Sequence, residues 1–425
     1  MDCKIGSRFK KTAVSAMVLC LAAVQIASVC PAQALGPVDE STSLASQVVD
    51  EIRTTLAPGL TQKEFIYQNT GGDRVTCFTL ECAPKSGFVT LAAGTPNDGS
   101  AIGLATVRSQ ANAAVKKGER VVAAINADMY DMKTGDPWGV VVKNGAEIHS
   151  YAPVRTWWDF FGVCKDGSPI YGDRRTYEKN KDAIRQALGI HSILVANGAV
   201  VNTDLTPRLA PRCAVGVRSD QSVFFLLADG RKDPYSHGLT LQETARLMKD
   251  LGAVWAGNLD GGGSSTLLTR TPGETALTVK NYPSDGKERP VANSWLFLEN
   301  PAPDGAFVSA ALSPYDRTYA PGAVVRMSAK GLDFSGAPAA LPAGGLNWQL
   351  SDARLGSIDQ NGVFSSNGGT GQVQVQLLYN GRTVGSTYVE IESPDGSVPA
   401  GTVSPSAGAN AGSVPVYHGR EVFQP

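Results

Sequence analysis

The chain alternates between short apolar runs and polar segments rich in glycine, proline, asparagine and aspartate. Between residues 60 and 299, several apolar runs have the length and flanking residues expected of buried strands. They lie at residues 120–125, 212–217, 222–228, 253–256 and 295–298. The dipeptides Asn144-Gly145 and Asn197-Gly198 are typical of two-residue hairpin turns. The pattern predicts a main domain over residues 60–299.

Other stretches have the apolar spacing of helices. Four apolar residues recur at every fourth position: Leu44, Val48, Ile52 and Leu56. This spacing predicts an amphipathic helix within an N-terminal helical segment at residues 35–59. In the main domain, Thr106 can cap a helix that Gly118 ends, and the Thr240/Glu243 capping box begins another. A short helix is also predicted around residues 184–188.

The composition changes after residue 299. Residues 300–305 read Pro-rich and polar, which is typical of a linker. Residues 306–392 contain short predicted strands separated by turn residues, and the succession Trp348, Ser351-Asp352 and 356–362 resembles a bacterial immunoglobulin-like domain. Residues 393–425 are rich in proline, glycine and serine, which predicts a disordered tail.

The first 34 residues have the pattern of a secretory signal peptide. Basic residues precede an apolar run at 12–29, and Ala32-Gln33-Ala34 has the small residues of a cleavage site. We therefore expect a bacterial extracytoplasmic protein, secreted or on the cell surface, with no membrane contact after processing. The formal net charge of −1 becomes more negative when the basic segment is removed, which argues against nucleic acid as a partner.

Four cysteines remain beyond the signal segment: Cys77, Cys82, Cys164 and Cys213. If residues 74–82 form one strand, Cys77 and Cys82 face opposite sides and stand roughly 16 Å apart, too far for a direct bond. Disulfides to Cys164 and Cys213 are then favoured, while free buried thiols remain the alternative. The four cysteines lack zinc-site spacing, and the histidines lack the context of a catalytic triad.

The segment Asn258-Leu259-Asp260 followed by Gly261, Gly262, Gly263, Ser264 and Ser265 is the first candidate site. Three successive glycines expose main-chain N–H groups beside a carboxylate and two hydroxyls. It is not a P-loop, because no Gly-Lys-Ser/Thr follows, and it lacks the second glycine of a nucleophile elbow. The plain alternative is a tight turn that Asp260 caps.

Polar residues cluster at the ends of other predicted strands as well. One cluster follows residues 120–125, and further ones flank the strands at 212–217, 222–228 and 295–298. Their members are Asn126, Asp128, Asp136, Arg212, Asp229, Arg231, Arg289 and Asn293. Taken alone, each carboxylate could cap a loop and each arginine could form a structural ion pair.

Taken together, these segments resemble the phosphodiester glycosidase family. The resemblance is carried by residues 126–130, 212–216, 229–231, 258–265 and 288–293, in the family's order. Met129, Tyr130 and Cys213 depart from the family's usual residues. The resemblance implies an α+β fold with mixed, mostly antiparallel sheets and packed helices, followed by the all-β immunoglobulin-like sandwich. It also implies cleavage between a sugar anomeric carbon and a phosphodiester oxygen.

That reaction builds positive charge on the sugar and returns negative charge to the phosphodiester. Asp260 is the first candidate for the carboxylate that activates water or attacks the sugar, with Asp128 and Asp229 next. Guanidinium groups bind phosphate oxygens bidentately, so Arg212, Arg231 and Arg289 are candidates for a phosphate clamp. The loop amides and serines would hold phosphate or sugar oxygens. The three asparagines Asn126, Asn258 and Asn293 would bind sugar hydroxyls, or equally tie loops together.

The expected substrate is a glycosyl phosphodiester of the N-acetylglucosamine type or a related cell-wall or exopolysaccharide glycan. The sequence requires no cofactor, and the clustered carboxylates leave room for a hard cation such as Ca²⁺ or Mg²⁺. Two alternatives from other functional classes stay open, a non-catalytic wall-glycan-binding protein and an exopolysaccharide assembly factor. Retention of every polar segment favours the enzyme.

Overall fold

The computed structural model describes residues 42–151, 158–201 and 207–392. Of the described residues, 48% are in strands and 12% in helices, so the fold is more β than the α+β class that we predicted. The predicted signal peptide, the predicted tail and residues 35–41 lie outside the described residues. No described helix is both long enough and apolar enough to cross a membrane.

The strands and helices up to residue 299 are, in chain order, β1 (Ala45–Ala57), β2 (Leu60–Asn69), β3 (Arg74–Cys82), β4 (Val89–Gly94), α1 (Val107–Lys116), β5 (Val121–Asn126), β6 (Val141–Lys143), β7 (Ala146–His149), β8 (Asp159–Cys164), β9 (Pro169–Gly172), α2 (Arg174–Asn180), β10 (Ile184–Ile190), β11 (Ser192–Ala196), β12 (Ala199–Val200), β13 (Arg212–Val217), β14 (Val223–Ala228), α3 (Leu241–Asp250), β15 (Trp255–Leu259), β16 (Leu267–Arg270), β17 (Leu277–Val279) and β18 (Ser294–Glu299).

These strands form three sheets around one main core. Sheet I has the order β1-β2-β3-β14-β13-β15-β11-β12, sheet II the order β17-β16-β5-β18-β4, and sheet III the order β7-β6-β10-β8-β9. Val215 and Phe225 of sheet I share a buried cluster with Trp295 of sheet II and Phe161 of sheet III. The other face of sheet I packs on α3, and the other face of sheet II packs on α1. Sheet I therefore faces the two smaller sheets across an apolar interior.

The antiparallel register brings several strand ends to one edge of this core. In sheet I, Arg212 pairs with Ala228 and Cys213 pairs with Leu259, so β13 begins where β14 and β15 end. In sheet II, Asn126 at the end of β5 pairs with Ser294 at the start of β18. The polar segments that follow or precede these strands are consequently neighbours in space.

Two predicted helices are strands. The segment predicted as an N-terminal helix forms β1, which pairs with β2 along its length. A spacing of four residues also fits a strand, because positions i and i+4 lie on the same face of a pleated chain. Residues 184–188 form part of β10, whose apolar run is buried on both faces of sheet III, and this run has no helical or alternating period to distinguish it. The capped helices α1 and α3 are confirmed, including both halves of the Thr240/Glu243 capping box.

Within residues 300–392 the structure has ten further strands: β19 (Ser309–Ser313), β20 (Arg317–Tyr319), β21 (Val324–Arg326), β22 (Ser328–Leu332), β23 (Pro338–Ala339), β24 (Leu346–Leu350), β25 (Gly356–Ile358), β26 (Val363–Ser366), β27 (Gly371–Tyr379) and β28 (Arg382–Ile391). They form three small sheets, in which β20 pairs parallel with β28 and the other pairs are antiparallel. The region is therefore all-β, and its immunoglobulin-like class stays a prediction.

A buried ion pair lies where this region meets the main domain. Arg270 donates to both carboxylate oxygens of Glu299, at 3.0 and 2.6 Å, and it lies 3.5 Å from the carbonyl oxygen of Ser335. Both charged side chains are at least 90% buried. Both partners of the pair belong to sheet II, and the contact of Arg270 with Ser335 joins this sheet to the C-terminal region.

The expected disulfides are not formed, because all four cysteines are free thiols. Cys77 and Cys82 face opposite sides of β3, as predicted, and belong to different apolar clusters. Cys213 lies in the core, where its Sγ is 3.4 Å from Asn126 Oδ1 and 3.4 Å from Ser265 Oγ. Its thiol therefore contacts two polar side chains of the candidate site, those of Asn126 and Ser265. The alternative of free thiols holds.

Candidate functional site

Asn126, at the end of β5, ties sheet II to the glycine loop at residues 261–265. Its Nδ2 donates to the carbonyl oxygen of Asp260 at 2.6 Å, and its Oδ1 accepts from the N–H of Thr266 at 3.0 Å. The N–H of Asp260 donates in turn to the carbonyl oxygen of Ala127 at 2.8 Å. Asn126 is fully buried, so its contacts here are those of a residue that ties loops together.

Asp128 lies in a narrow space between three main-chain segments. Its N–H donates to Asn293 Oδ1 at 2.9 Å, and its Oδ2 accepts from the N–H of Gly139 at 2.8 Å. A Cβ on Gly189 would lie 2.4 Å from Oδ2, so only glycine leaves room for this carboxyl group. Asp128 is 1% exposed, and among the described residues its Oδ1 has no hydrogen-bond partner.

The carboxyl groups of Asp128 and Asp260 ionise in different surroundings. Burial, with a smaller contribution from the charge of Asp260, raises the pKa of Asp128 to about 7, and the hydrogen bond from Gly139 opposes this rise. Burial raises the pKa of Asp260 to about 6, opposed by the Ser264 hydroxyl and by Arg289. Each pKa lies above its usual range, and the two carboxyl groups titrate as a coupled pair at the edge where β5 and β15 end.

The raised pKa of Asp128 predicts a pH-dependent stability. A carboxyl group whose pKa is raised on folding contributes stability that is present below pH 4 and lost as pH rises through about 7. Asp128→Asn cannot ionise, so its free energy of unfolding should rise relative to the parent by about 1.4 kcal/mol per pH unit across that window. Urea unfolding at pH 4.5, 6 and 7.5 measures this difference. Parallel pH profiles of the two proteins would contradict the burial of a titrating Asp128.

The glycine loop packs closely against neighbouring segments. A Cβ on Gly261 would lie 2.6 Å from the carbonyl oxygen of Pro211, which also accepts the N–H of Gly262 at 2.8 Å. Gly262 has a φ of +60°, in the left-handed region that favours glycine. The loop is thus held against the start of β13, and the Gly262 amide is already used by the protein.

Two guanidinium groups flank consecutive glycines of this loop. The Nη atoms of Arg231 lie 3.4 and 3.5 Å from the point where a Cβ on Gly262 would be. Nη2 of Arg289 lies 1.9 Å from the corresponding point on Gly263, so its guanidinium rests directly on that glycine. Arg289 pairs with Asp285 at 2.8 Å, whereas Arg231 is exposed and forms no ion pair with any described residue. Arg231 also has a φ of +59°, a backbone conformation that costs free energy in a non-glycine residue.

Arg212 lies beside the loop but directs its guanidinium elsewhere. Its Nε donates to the carbonyl oxygen of Leu239 at 2.9 Å, and its Nη2 donates to that of Arg208 at 2.5 Å. These bonds tie β13 to the segments before it and before α3. The geometry favours a structural role for Arg212 over a place in a phosphate clamp.

Asp229 and the two serines lie on the buried side of the loop. Asp229 is fully buried and accepts hydrogen bonds from Asn281, Tyr282 and Tyr235. Burial raises its pKa to about 7, against those three hydrogen bonds. Ser264 and Ser265 are also fully buried. The Tyr130 hydroxyl donates to the carbonyl oxygen of Pro290 at 2.9 Å and lies 3.5 Å from Ser264 Oγ.

Two predicted site residues do not join this group of side chains. Asn258 pairs with Ala214, so its side chain lies on the face of sheet I that packs on α3. Its Oδ1 is buried without a hydrogen-bond partner among the described residues. Asp136 is exposed on the loop between β5 and β6.

The structure also brings in residues that the sequence did not single out as site residues. Gly139 and Gly189 shape the space around Asp128, Tyr130 reaches Ser264, and Asn281 contacts Asp229. Tyr130 and Gly139 belong to the polar stretch that follows the apolar run at residues 120–125. The residues around Gly189 and Asn281 have no sequence pattern that indicates a site. Within the described ranges, no group of three or more His, Cys, Asp or Glu side chains is arranged to hold a metal ion.

The phosphodiester glycosidase family model matches residues 119–298. Residues 119–298 form a phosphodiester glycosidase domain. This range contains β5, the glycine loop, both arginines that flank it and the three candidate carboxylates.

Two curated relatives align with part of this chain. The N-acetylglucosamine-1-phosphodiester alpha-N-acetylglucosaminidase of Mus musculus is 28% identical over 192 residues, covering 40% of this chain and 35% of that protein. An SPbeta prophage-derived uncharacterized protein of Bacillus subtilis (strain 168) is 31% identical over 194 residues, covering 42% of this chain and 28% of that protein. The chain thus spans about a third of the length of these relatives.

Solved structures include partly similar chains. The zebrafish N-acetylglucosamine-1-phosphodiester alpha-N-acetylglucosaminidase catalytic domain, auto-inhibited by its pro-peptide, matches with a TM-score of 0.46 and 20% identity, covering 61% of this chain and 88% of that one. A hypothetical protein from Synechocystis matches with a TM-score of 0.44 and 15% identity, covering 59% and 64% respectively.

Proposed function

We propose that the phosphodiester glycosidase domain hydrolyses the bond between a sugar anomeric carbon and a phosphodiester oxygen, with N-acetylglucosamine 1-phosphodiesters as the first substrate class to test. One observation carries this proposal. The half-buried carboxylate of Asp260 stands at the start of a glycine loop on which two guanidinium groups rest. The name of the mouse relative, which specifies an N-acetylglucosamine 1-phosphodiester, supports the choice of substrate.

Asp260 is the carboxylate that faces the reacting sugar. Of the three candidates, Asp128 is 1% exposed and Asp229 is 0% exposed, whereas Asp260 is only partly buried and can meet a ligand. Its negative charge stabilises the positive charge that develops on the sugar ring, and it either attacks the anomeric carbon or activates water there. Burial and the charge of Asp260 hold the pKa of Asp128 above its usual range, so the neutral form of Asp128 is favoured beside an ionised Asp260.

Arg231 and Arg289 receive the phosphate. Leaving-group departure increases the negative charge on the phosphate oxygens, so two guanidinium groups beside the loop bind the transition state more strongly than the substrate. Arg231 is suited to this role because it is exposed and its charge is not neutralised by any described carboxylate. A phosphate is already a good leaving group, so charge stabilisation contributes more than protonation by a general acid.

Arg231→Ala should lower kcat/KM for the phosphodiester by roughly 10–100-fold, which corresponds to about 1.4–2.7 kcal/mol of lost charge-assisted hydrogen bonding. Arg231→Lys should recover part of this loss, because it keeps the charge without the planar fork. Arg246→Ala on the exposed face of α3 is the matched control and should retain parent activity. A parent-like kcat/KM for Arg231→Ala would remove this residue from the clamp.

The proposal also includes a cellular location and a natural substrate, which rest on the predicted signal peptide and the all-β C-terminal region. We place the enzyme outside the cytoplasm of a bacterium, acting on glycosyl phosphates of cell-wall or exopolysaccharide polymers. Release of free sugar from an N-acetylglucosamine 1-phosphodiester, followed by release from isolated wall polymers, tests both parts. Binding of these glycans without turnover would instead support a glycan-binding or polymer-assembly role.

A further inference from the structure

A buried hydrogen-bond network lies behind the glycine loop. Both carboxylate oxygens of Asp229 are occupied: Oδ1 accepts from Asn281 Nδ2 at 3.0 Å, and Oδ2 accepts from the N–H of Tyr282 at 2.7 Å and from the Tyr235 hydroxyl at 3.0 Å. Asp229 is 0% exposed. A carboxylate with both oxygens engaged and no exposed surface cannot touch a substrate, so its contribution must pass through the groups that it holds.

Asn281 connects this carboxylate to both ends of the turn that follows the glycines. The same Nδ2 that donates to Asp229 also lies 3.1 Å from the carbonyl oxygen of Ser265, and Asn281 Oδ1 accepts from the N–H of Leu267 at 2.8 Å. Asn281 is itself fully buried. The side chain therefore fixes the main chain on either side of Thr266, where the loop enters β16.

The network also holds the segment that delivers Arg289. Tyr282, whose N–H donates to Asp229, lies near the start of the connection between β17 and β18, and Arg289 lies seven residues further along it. Tyr282 lies under the ammonium group of Lys232, which is 4.3 Å from its ring centroid. The start of the connection is thus held from its main chain and from its side chain.

We propose that Asp229 and Asn281 are a positioning pair for the phosphodiester glycosidase site, which together set the geometry of the glycine loop and of the segment that carries Arg289. The observations behind this proposal are the three hydrogen bonds to Asp229 and the two contacts of Asn281 with the main chain of Ser265 and Leu267. Its catalytic consequence rests on the proposed function. Neither residue contacts substrate.

The kinetic test uses Asp229→Asn, Asn281→Ala and the double variant with an N-acetylglucosamine 1-phosphodiester. Misplacement of reacting groups by a fraction of an ångström to 1 Å lowers turnover by roughly 10–100-fold, so kcat should fall in this range while KM changes by less than about threefold. The kcat of the double variant should be no lower than that of the less active single variant, because the two residues act as a unit. Tyr235→Phe removes one of the three donors to Asp229, so it should lower kcat by less than the other variants.

Asp333→Asn is the matched control for stability. Asp333 is also 0% exposed and accepts five hydrogen bonds, from Asp304, Gly305, Ser335 and Ala337, but it lies beyond the glycosidase domain. Its substitution should lower the free energy of unfolding without lowering kcat. An equal fall of kcat in Asp333→Asn and Asp229→Asn, at matched stability, would overturn the positioning role.

Hydrogen exchange of the full chain separates this proposal from the proposed function. In Asn281→Ala, amides in residues 261–268 and 282–289 should exchange faster, while those of β14 keep parent protection. If the parent protein turns over no glycosyl phosphodiester, the proposed function fails, yet this exchange pattern still supports the positioning pair. Unchanged exchange in both segments, with or without turnover, would overturn it.

Discussion

Asp260→Asn should lower kcat on a glycosyl phosphodiester by roughly 10²–10⁴-fold, the range expected when a carboxylate that acts on the reacting centre is replaced. The carboxamide has nearly the same shape as the carboxylate, so it can keep the hydrogen bonds with the Ser264 hydroxyl and the Gly261 main chain. It cannot attack the anomeric carbon, activate water or stabilise positive charge on the sugar. Initial rates of sugar release, with circular dichroism and thermal unfolding to verify folding, measure the effect.

Asp220→Asn provides the control for this substitution. Asp220 lies in the turn between β13 and β14, at the opposite end of these strands from the candidate site, and it caps Ser222. The control should retain parent kcat. If Asp260→Asn retains parent kcat as well, Asp260 has no catalytic role and the account of the site is wrong.

Gly263→Ala should lower kcat/KM by roughly 10²-fold, because the added methyl group displaces the Arg289 guanidinium from the site and leaves the charge of the protein unchanged. The added Cβ would lie 1.9 Å from Nη2 of Arg289 and 2.4 Å from Oδ1 of Asp285, so both side chains must move. Gly263 does not occupy the left-handed region, so alanine introduces no backbone strain. The clash involves the ends of flexible side chains, and folding should be preserved.

Gly103→Ala is the matched control, since its Cβ would enter open space. Arg289→Ala should reproduce most of the loss seen in Gly263→Ala, and the double variant should add little if both act through the guanidinium. A fully active Gly263→Ala protein would mean that the position of Arg289 on the loop is irrelevant to turnover.

Local sequence signals predicted those elements whose cause is local. Thr106 and Thr240 cap α1 and α3 because a side-chain oxygen before a helix satisfies an otherwise unpaired N–H, and Asn144-Gly145 turns the chain between β6 and β7. β1 was misread because a spacing of four residues is common to a helix face and to one face of a regular strand, whereas register shifts in β1 place Val48 and Leu56 in different apolar clusters. Only pairing with β2, a non-local contact, decides between them.

In the candidate site, too, some features have local sequence signals and others depend on residues far along the chain. The glycine loop and the polar ends of β5, β14 and β18 were visible in the sequence, and the antiparallel register brings them to one edge. What each group does there depends on partners far along the chain. Arg212 is engaged by the carbonyl of Leu239, and Asp229 is engaged by Asn281, which nothing in its own surroundings singled out. Burial likewise separates Asp260 from the other carboxylates, and sequence does not supply burial for residues in loops.

Hydrolysis of an N-acetylglucosamine 1-phosphodiester in water enriched in ¹⁸O shows which bond the enzyme breaks. We expect attack at the anomeric carbon, so mass spectrometry should find free sugar together with a phosphomonoester that carries no ¹⁸O. Incorporation of ¹⁸O into the phosphomonoester would show attack at phosphorus and contradict the assignment of Asp260 to the sugar.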